Sequence, residues 1–156
     1  MEEQSIEPTG KAMLIESDVV GAVCGFLSER GYAITQQLGP TQHGVDIIAT
    51  RRDPEPRELW VEAKGETSER LGSQRYGKPF DSAQVGIHVA EAFYTAAKHV
   101  ATANDASARV IAIALPGNEL QRRYVAPIAP ILARLGVVLL WVAPDKTVTV
   151  EPESAI

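Results

Sequence analysis

Cysteine is almost absent from this chain, since Cys24 is the only one among its 156 residues. An internal disulfide is therefore excluded, and so is a zinc site built from several thiolates. The three histidines form no zinc-ligand pair either. With 45% hydrophobic residues the chain can bury a core without covalent cross-links. A single cysteine also fits a reducing compartment, and we expect a cytoplasmic protein.

Long hydrophobic runs are missing as well, and we expect no signal peptide. No apolar stretch approaches the length needed to cross a bilayer. The start, Met1-Glu2-Glu3-Gln4, carries acids where a signal peptide carries positive charge. We therefore expect no membrane partner. We also expect one folded domain over residues 13–151, between a flexible tail at 1–12 and a second tail at 152–156.

An excess of positive charge is the third absence, because the formal net charge is −5. Affinity for a phosphate backbone depends on lysines and arginines that release counterions, so an acidic chain has little general attraction for nucleic acid. A local positive strip or a bound cation can still act on an acidic protein. We predict weak, salt-sensitive binding of nucleic acid in the absence of metal.

The chain does contain a set of charged residues on two predicted strands. Residues 45–50 and 58–64 are short and rich in β-branched and apolar residues, and two prolines between them end both strands. A symmetric antiparallel hairpin places Asp46 opposite Glu62, where facing Cβ atoms lie about 4.5–5.5 Å apart. Because strand side chains alternate, Lys64 lies on the same face as Glu62.

Two carboxylates held this close repel each other, which raises one pKa or requires a cation between them. Hard oxygen ligands favour magnesium, with manganese as the second choice, over zinc. Lys64 supplies positive charge beside an attacking water or a phosphate. The spacing thus predicts metal-dependent phosphodiester hydrolysis. The alternative is a surface hairpin with ordinary solvated charges.

Two short motifs carry a resemblance to a known group: Gly44-Val45-Asp46 and Val61-Glu62-Ala63-Lys64. They resemble the PD-(D/E)xK nuclease superfamily, in the branch similar to Mrr-type restriction endonucleases and archaeal Holliday junction resolvases. The resemblance covers roughly residues 14–115, and a valine stands where the motif often has proline. It implies that Asp46 and Glu62 ligate the metal with help from the Ala63 carbonyl, and that Lys64 takes part in catalysis on DNA.

Glu16 is the next predicted site residue. It heads a helix predicted over residues 14–30 and shares the inward side of that helix with Val20, Val23 and Leu27. An inward acid is costly unless it is paired or binds an ion. The resemblance implies a helical glutamate at this point of the metal site. A favourable position near the positive end of the helix dipole is the alternative.

A second helix, predicted over residues 82–103, adds Gln84 and His88, which share one polar face at a spacing of four. The resemblance implies that Gln84 assists catalysis by contacting the metal-bound water or the DNA, and that His88 has a weaker role in binding nucleic acid. A plain solvated helix face is the alternative for both.

The long polar loop that follows Lys64 is the predicted grip on nucleic acid. Arg70, Arg75 and Lys78 offer phosphate contacts, and Tyr76 offers a stacking surface. Loops of this length within a compact domain are usually functional or disordered. Simple solvent exposure accounts for the composition nearly as well.

The remaining segments alternate between strand and helix. We predict strands over residues 108–115, 137–142 and 146–151, and a helix over 118–134 that is interrupted around its two prolines. The resulting order is helix, three strands, helix, strand, helix and two strands. It predicts an α/β fold with a mixed sheet flanked by helices, and the resemblance implies a restriction endonuclease-like core.

The expected function is a Mg²⁺-dependent DNA endonuclease. Three alternatives stay open: a catalytically weak nucleic-acid-binding module of the same fold, a protein-interaction subunit of a larger repair or defence assembly, and a nuclease directed at RNA. Cutting both DNA strands would favour a homodimer, because oligomers are usually symmetric.

Overall fold

The computed structural model describes residues 13–67, 80–103 and 108–156. Within these residues six strands form one open sheet whose order follows the chain. The strands are β1 (Ala33–Gln37), β2 (Ile47–Arg51), β3 (Arg57–Ala63), β4 (Arg109–Pro116), β5 (Val138–Val142) and β6 (Val148–Glu151). The β1–β2–β3 and β5–β6 pairs are antiparallel, whereas β3–β4–β5 are parallel. The predicted mixed sheet is confirmed.

The helices also follow the predicted order. They are α1 (Glu16–Glu29), α2 (Ser82–Thr102), α3 (Glu119–Val125) and α4 (Ala129–Arg134). A 3-10 turn at Ala126–Ile128 separates α3 from α4, at the prolines that predicted an interruption. No helix in the described ranges is both long and apolar enough to cross a membrane.

Helices cover both faces of the sheet. One face packs α1 against the odd-numbered residues of β3, such as Leu59 and Val61. The other face packs α2, α3 and α4 against side chains of β4 and β5, such as Ile113 and Leu139. Both parallel crossovers step in the same direction across the sheet, so right-handed connections place their helices on one face. Strand β4 is buried on both faces, as is usual for a central parallel strand.

Helix α1 buries the predicted stripe of Val20, Val23 and Leu27. Cys24 is buried beside this stripe, and burial raises the pKa of its thiol, so it behaves as a small core hydrophobe. Gly31, with φ +85°, ends the helix in the left-handed conformation that favours glycine.

The β2–β3 hairpin has the register that its sequence predicts. The pairing runs from Arg51 opposite Arg57 to Ile47 opposite Val61. One step further along, Asp46 faces Glu62. The structure therefore confirms the pairing on which the predicted site depends.

The end of the chain, predicted as a tail at 152–156, contains a 3-10 turn at Glu153–Ala155. Ala155 and Ile156 pack against the α1 side of the core. The Arg57 guanidinium donates a hydrogen bond to the Ala155 carbonyl. This contact joins the last described residues to the start of β3.

Candidate functional site

Asp46, the residue just before β2, is held by contacts on both sides. Gly44 has φ +134°, a conformation that side-chain-bearing residues rarely adopt, and it brings the chain out of the β1–β2 connection. The Leu38 N–H then donates to the Asp46 carbonyl, with 2.9 Å between N and O. The Asp46 side chain reaches across the hairpin, where its Oδ2 accepts a hydrogen bond from the Ala63 N–H at 2.8 Å.

The Asp46 and Glu62 carboxyl groups lie side by side, close enough to share a proton. Burial raises the pKa of Glu62 to about 7, and the negative charge of Asp46 acts in the same direction. Burial also raises the pKa of Asp46, an effect that the Ala63 N–H partly offsets. Only 14% of the Glu62 side chain is exposed. The pair therefore holds a proton more tightly than free carboxyl groups do.

Lys64 lies beside this pair. Its Nζ is 3.7 Å from Glu62 Oε1 and 3.1 Å from Glu91 Oε2 on α2. Burial lowers the pKa of Lys64, but the hydrogen bond to Glu91 and the surrounding negative charges outweigh it, so the net pKa is raised. The Lys64 N–H donates to the Ala114 carbonyl at 3.1 Å, which fixes its backbone against β4. The ammonium is therefore positioned and charged.

Glu16 joins the site from the other face of the sheet. It is the first residue of α1, is half-buried, and lies close enough for its charge to raise the pKa values of Glu62 and Lys64. Its proximity depends on Gly65, where an added Cβ would lie 2.5 Å from the Glu16 nitrogen and 2.8 Å from the Ile15 carbonyl carbon. Only glycine permits so close an approach of two backbones.

Gln84 has a structural partner at the start of α2. Its Oε1 accepts a hydrogen bond from the Asp81 N–H at 3.1 Å, and the Gln84 N–H donates to Asp81 Oδ1 at 2.9 Å. This reciprocal arrangement is a capping box. The sequence carries its signal, an aspartate followed three residues later by a glutamine. The catalytic role of Gln84 stays a prediction.

His88 lies one turn further along α2. Its ring meets that of Phe80 edge-on, with 4.4 Å between the centroids. Burial lowers the pKa of His88, and so does the positive charge of Lys64, whereas Glu91 opposes both. His88 is therefore near the predicted site and uncharged at neutral pH.

The loop residues predicted to grip nucleic acid, Arg70, Arg75, Tyr76 and Lys78, lie outside the described residues. The chain is described up to Thr67 and again from Phe80. These two points are close together, because the Phe80 N–H donates to the Glu66 carbonyl at 2.9 Å. The predicted loop therefore begins and ends beside the Lys64 strand end.

Two carboxylates suit a magnesium ion at this site. Mg²⁺ is commonly bound by one or two carboxylates and keeps several of its waters. Asp46 and Glu62 supply that donor set, next to the Ala63 carbonyl. Across the described part of the chain, no group of three or more His, Cys, Asp or Glu side chains is placed to hold a metal ion. Glu16 thus acts on the pair through its charge, and its role as a ligand stays a prediction.

Glu91 lies on the polar helix face predicted to carry Gln84 and His88, but the sequence predicted no specific role for it. Among the described residues it makes a shorter ion pair with the Lys64 ammonium than Glu62 does, and 55% of its side chain is exposed. Its spacing of seven from Gln84 indicates a shared helix face. However, only the packing of α2 on the sheet decides which turn of that face reaches Lys64.

Comparison of the chain with protein-family models, with curated proteins and with solved structures gives no significant match. The geometry of the site itself therefore carries the functional assignment.

Proposed function

We propose that this chain is a Mg²⁺-dependent nuclease, also able to use Mn²⁺, that hydrolyses DNA phosphodiester bonds on a restriction endonuclease-like core. The observation that carries the proposal is the adjacent pair of Asp46 and Glu62 carboxyl groups with the Lys64 ammonium 3.7 Å from Glu62 Oε1. Perturbed, mutually coupled titratable groups of this kind are concentrated at functional sites. The pair and the ammonium come from adjacent ends of two strands, a rigid framework for chemistry.

The residues divide into metal-binding and charge-stabilising groups. Asp46 and Glu62 would hold the ion, with the Ala63 carbonyl as a further oxygen ligand. When bound, the ion supplies a more acidic water and offsets negative charge on the phosphate. Lys64 is placed to stabilise the charge that the phosphate gains in the transition state. Glu91 keeps the Lys64 side chain extended toward α2.

A second candidate is a catalytically weak nucleic-acid-binding or protein-interaction module of the same fold within a larger assembly. The observation that favours it is the engagement of Lys64 with both Glu62 and Glu91. An ammonium between two carboxylates is partly neutralised before any phosphate arrives. The net charge of −5 favours the same alternative.

A cleavage assay separates the two candidates. Supercoiled, linear and branched DNA, with a matched RNA, are incubated with Mg²⁺ or Mn²⁺ and either wild type or Lys64→Ala. We expect wild type to cut DNA and Lys64→Ala to be about 10²–10³-fold slower. Lys98→Ala, which removes an exposed lysine from α2, is the matched control and should keep full activity. Equal cleavage rates for wild type and Lys64→Ala would contradict the nuclease proposal.

A binding measurement tests the metal site without relying on turnover. Titration with Mn²⁺, followed by electron paramagnetic resonance, should show one site in wild type and at least tenfold weaker binding in Glu62→Gln. An anomalous map from a Mn²⁺-soaked crystal should place the ion between Asp46 and Glu62. An ion bound elsewhere would contradict the assignment.

A further inference from the structure

Glu66, two residues beyond Lys64, connects the end of β3 to three other segments. Its carboxylate accepts hydrogen bonds from the Leu14 N–H at 2.7 Å and from Asn118 Nδ2 at 3.0 Å. Its own N–H donates to the Leu14 carbonyl at 2.8 Å, and its carbonyl accepts from the Phe80 N–H at 2.9 Å. One residue thus contributes four hydrogen bonds, two residues beyond Lys64.

Each bonded segment leads to an element that surrounds the site. Leu14 lies two residues before Glu16, the acid of α1. Phe80 lies just before α2, whose Glu91 holds Lys64. Asn118 is the N-cap of α3, where its Oδ1 accepts from the Gln121 N–H at 2.8 Å. Glu66 therefore ties the starts of α1, α2 and α3 to the end of β3 through hydrogen bonds.

The junction has little freedom to adjust. Gly65 is buried against the backbone at the start of α1, and Leu14 is 2% exposed. Hydrogen bonds from an amide to an ionised carboxylate are shorter and stronger than neutral ones. Loss of one acceptor here would leave a buried N–H without a partner, which is costly. Because one carboxylate binds both Leu14 and Asn118, a change that turns the Asn118 contact into a repulsion also displaces the acceptor of the Leu14 N–H, and it is expected to move the start of α1 relative to β3.

We propose that Glu66 is a positioning residue, which sets where Glu16 and Lys64 stand relative to the Asp46–Glu62 pair. This inference rests on the proposed nuclease function. Glu66 acts through its bonds to Leu14 and Asn118, and its carboxylate is already occupied by them. Displacement of reacting groups by about 1 Å can cost on the order of 10²-fold in rate.

The chemistry of the Glu66–Asn118 bond permits a reciprocal test. Glu66→Gln keeps one side-chain oxygen, which still accepts from the Leu14 N–H. Its other terminal atom becomes an NH₂ group, and this donor then faces the Nδ2 donor of Asn118. Asn118 cannot flip without giving up its cap on Gln121. Asn118→Asp alone sets two carboxylates against each other. The double variant Glu66→Gln/Asn118→Asp restores a donor and an acceptor and keeps an oxygen for the cap.

The cleavage assay is run at a temperature at which every variant is folded. We expect Glu66→Gln and Asn118→Asp each to lower kcat about 10- to 100-fold, with KM for DNA changed less than about threefold, because the reacting groups move while the DNA surface does not. The double variant should return kcat to within about threefold of wild type. Recovery by the double variant supports a positioning role.

Glu58 provides the matched control at the far end of β3. Its Oε1 accepts from Trp60 Nε1 at 2.6 Å and from Arg109 Nε at 3.0 Å, so it resembles Glu66 in the number of side-chain bonds. Glu58→Gln should lower stability and leave kcat within about twofold of wild type. A loss of kcat in Glu66→Gln no greater than that in Glu58→Gln, or no recovery in the double variant, would overturn the proposal.

Nuclear magnetic resonance separates this inference from the proposed function. Glu66→Gln should shift the backbone amide resonances of Glu16 and Lys64, and the double variant should return them toward their wild-type positions. Unchanged resonances would overturn the positioning role whether or not the protein cuts DNA. If wild type cuts no nucleic acid with any metal, the nuclease proposal fails, and the resonances still decide whether Glu66 positions these residues.

Discussion

The Asp46 carboxylate accepts a hydrogen bond from the Ala63 backbone N–H, with 2.8 Å between Oδ2 and N. This bond lies one step beyond the last backbone pair of the hairpin, Ile47 opposite Val61. At the end of the strand, the Ala63 N–H thus donates to a side-chain carboxylate and not to a backbone carbonyl. The Asp46 side chain is thereby fixed beside Glu62.

Removal of this acceptor should cost stability. We expect Asp46→Ala to lower the free energy of unfolding by about 1–3 kcal/mol, because the Ala63 N–H loses its partner. Asp46→Asn keeps an oxygen in place and should be less destabilising, yet it should still weaken Mn²⁺ binding through the loss of charge. Urea unfolding measures the first effect. Equal stability of the two variants would show that the bond contributes little.

The raised pKa of Glu62 predicts a stability that falls as pH rises. The pKa is raised from 4.5 to about 7, so the folded protein holds a proton that the unfolded chain releases above pH 4.5. This stabilisation is complete below pH 4.5 and is lost as pH passes through about 7, with a loss of up to about 3 kcal/mol. Mg²⁺ should offset the loss above pH 7, because it binds the ionised pair.

Thermal unfolding of wild type and Glu62→Gln between pH 4.5 and 8.5 tests this. Burial lowers the pKa values of His88 and His99, which adds stability as pH rises through about 6.5 and opposes the Glu62 effect. The informative quantity is therefore the difference between the two proteins. A difference that does not change with pH would contradict the assignment.

Gly65 should be intolerant of even the smallest side chain. A Cβ at this position would lie 2.5 Å from the Glu16 nitrogen, so we expect Gly65→Ala to cost about 1–3 kcal/mol and to reduce cleavage by displacing α1. Gly21→Ala is the matched control, because a Cβ there meets nothing within 4 Å. It lies within α1 and should stabilise the protein by roughly 0.5–1 kcal/mol. Similar effects of both changes on urea unfolding would refute the close approach.

Glu91 should control the protonation of Lys64. Glu91→Gln removes the strongest influence that raises the pKa of Lys64, so that pKa should fall. The change in stability should stay below about 1 kcal/mol, because Glu91 is largely exposed. Titration of the lysine ε-methylene resonances measures the pKa. Glu119→Gln, which breaks an exposed pair with Arg123, should leave it unaltered; an equal shift in both variants would contradict a specific role for Glu91.

The hairpin and its register follow from local sequence. Prolines end the strands, and alternation with a period of two decides which side chains share a face. These signals locate Asp46, Glu62 and Lys64 together before any tertiary contact is known. The stripe of α1 is equally local, because a period of 3.6 decides which residues are buried.

The supporting residues could not be predicted in the same way. Glu66 and Glu91 meet their partners only after α1, α2 and α3 have packed on the sheet, and no spacing along the chain encodes those distances. Gln84 differs from these residues, because its partner Asp81 lies only three residues away and the capping box they form has a local sequence signal. The resemblance implied a catalytic role for Gln84 and no capping role. Short-range patterns thus place the charged groups, whereas long-range packing decides what holds them.

The strand order means that the sheet can be assembled strand by strand as the chain is synthesised. Each strand pairs with the one that precedes it in the chain, so every strand that leaves the ribosome meets a neighbour already made and none has to be inserted between two others. The antiparallel β1–β2–β3 pairs close short loops and can form early, whereas β4 reaches β3 only after residues 64–108 have been made. The hairpin that carries Asp46 and Glu62 is therefore among the first parts of the protein able to form.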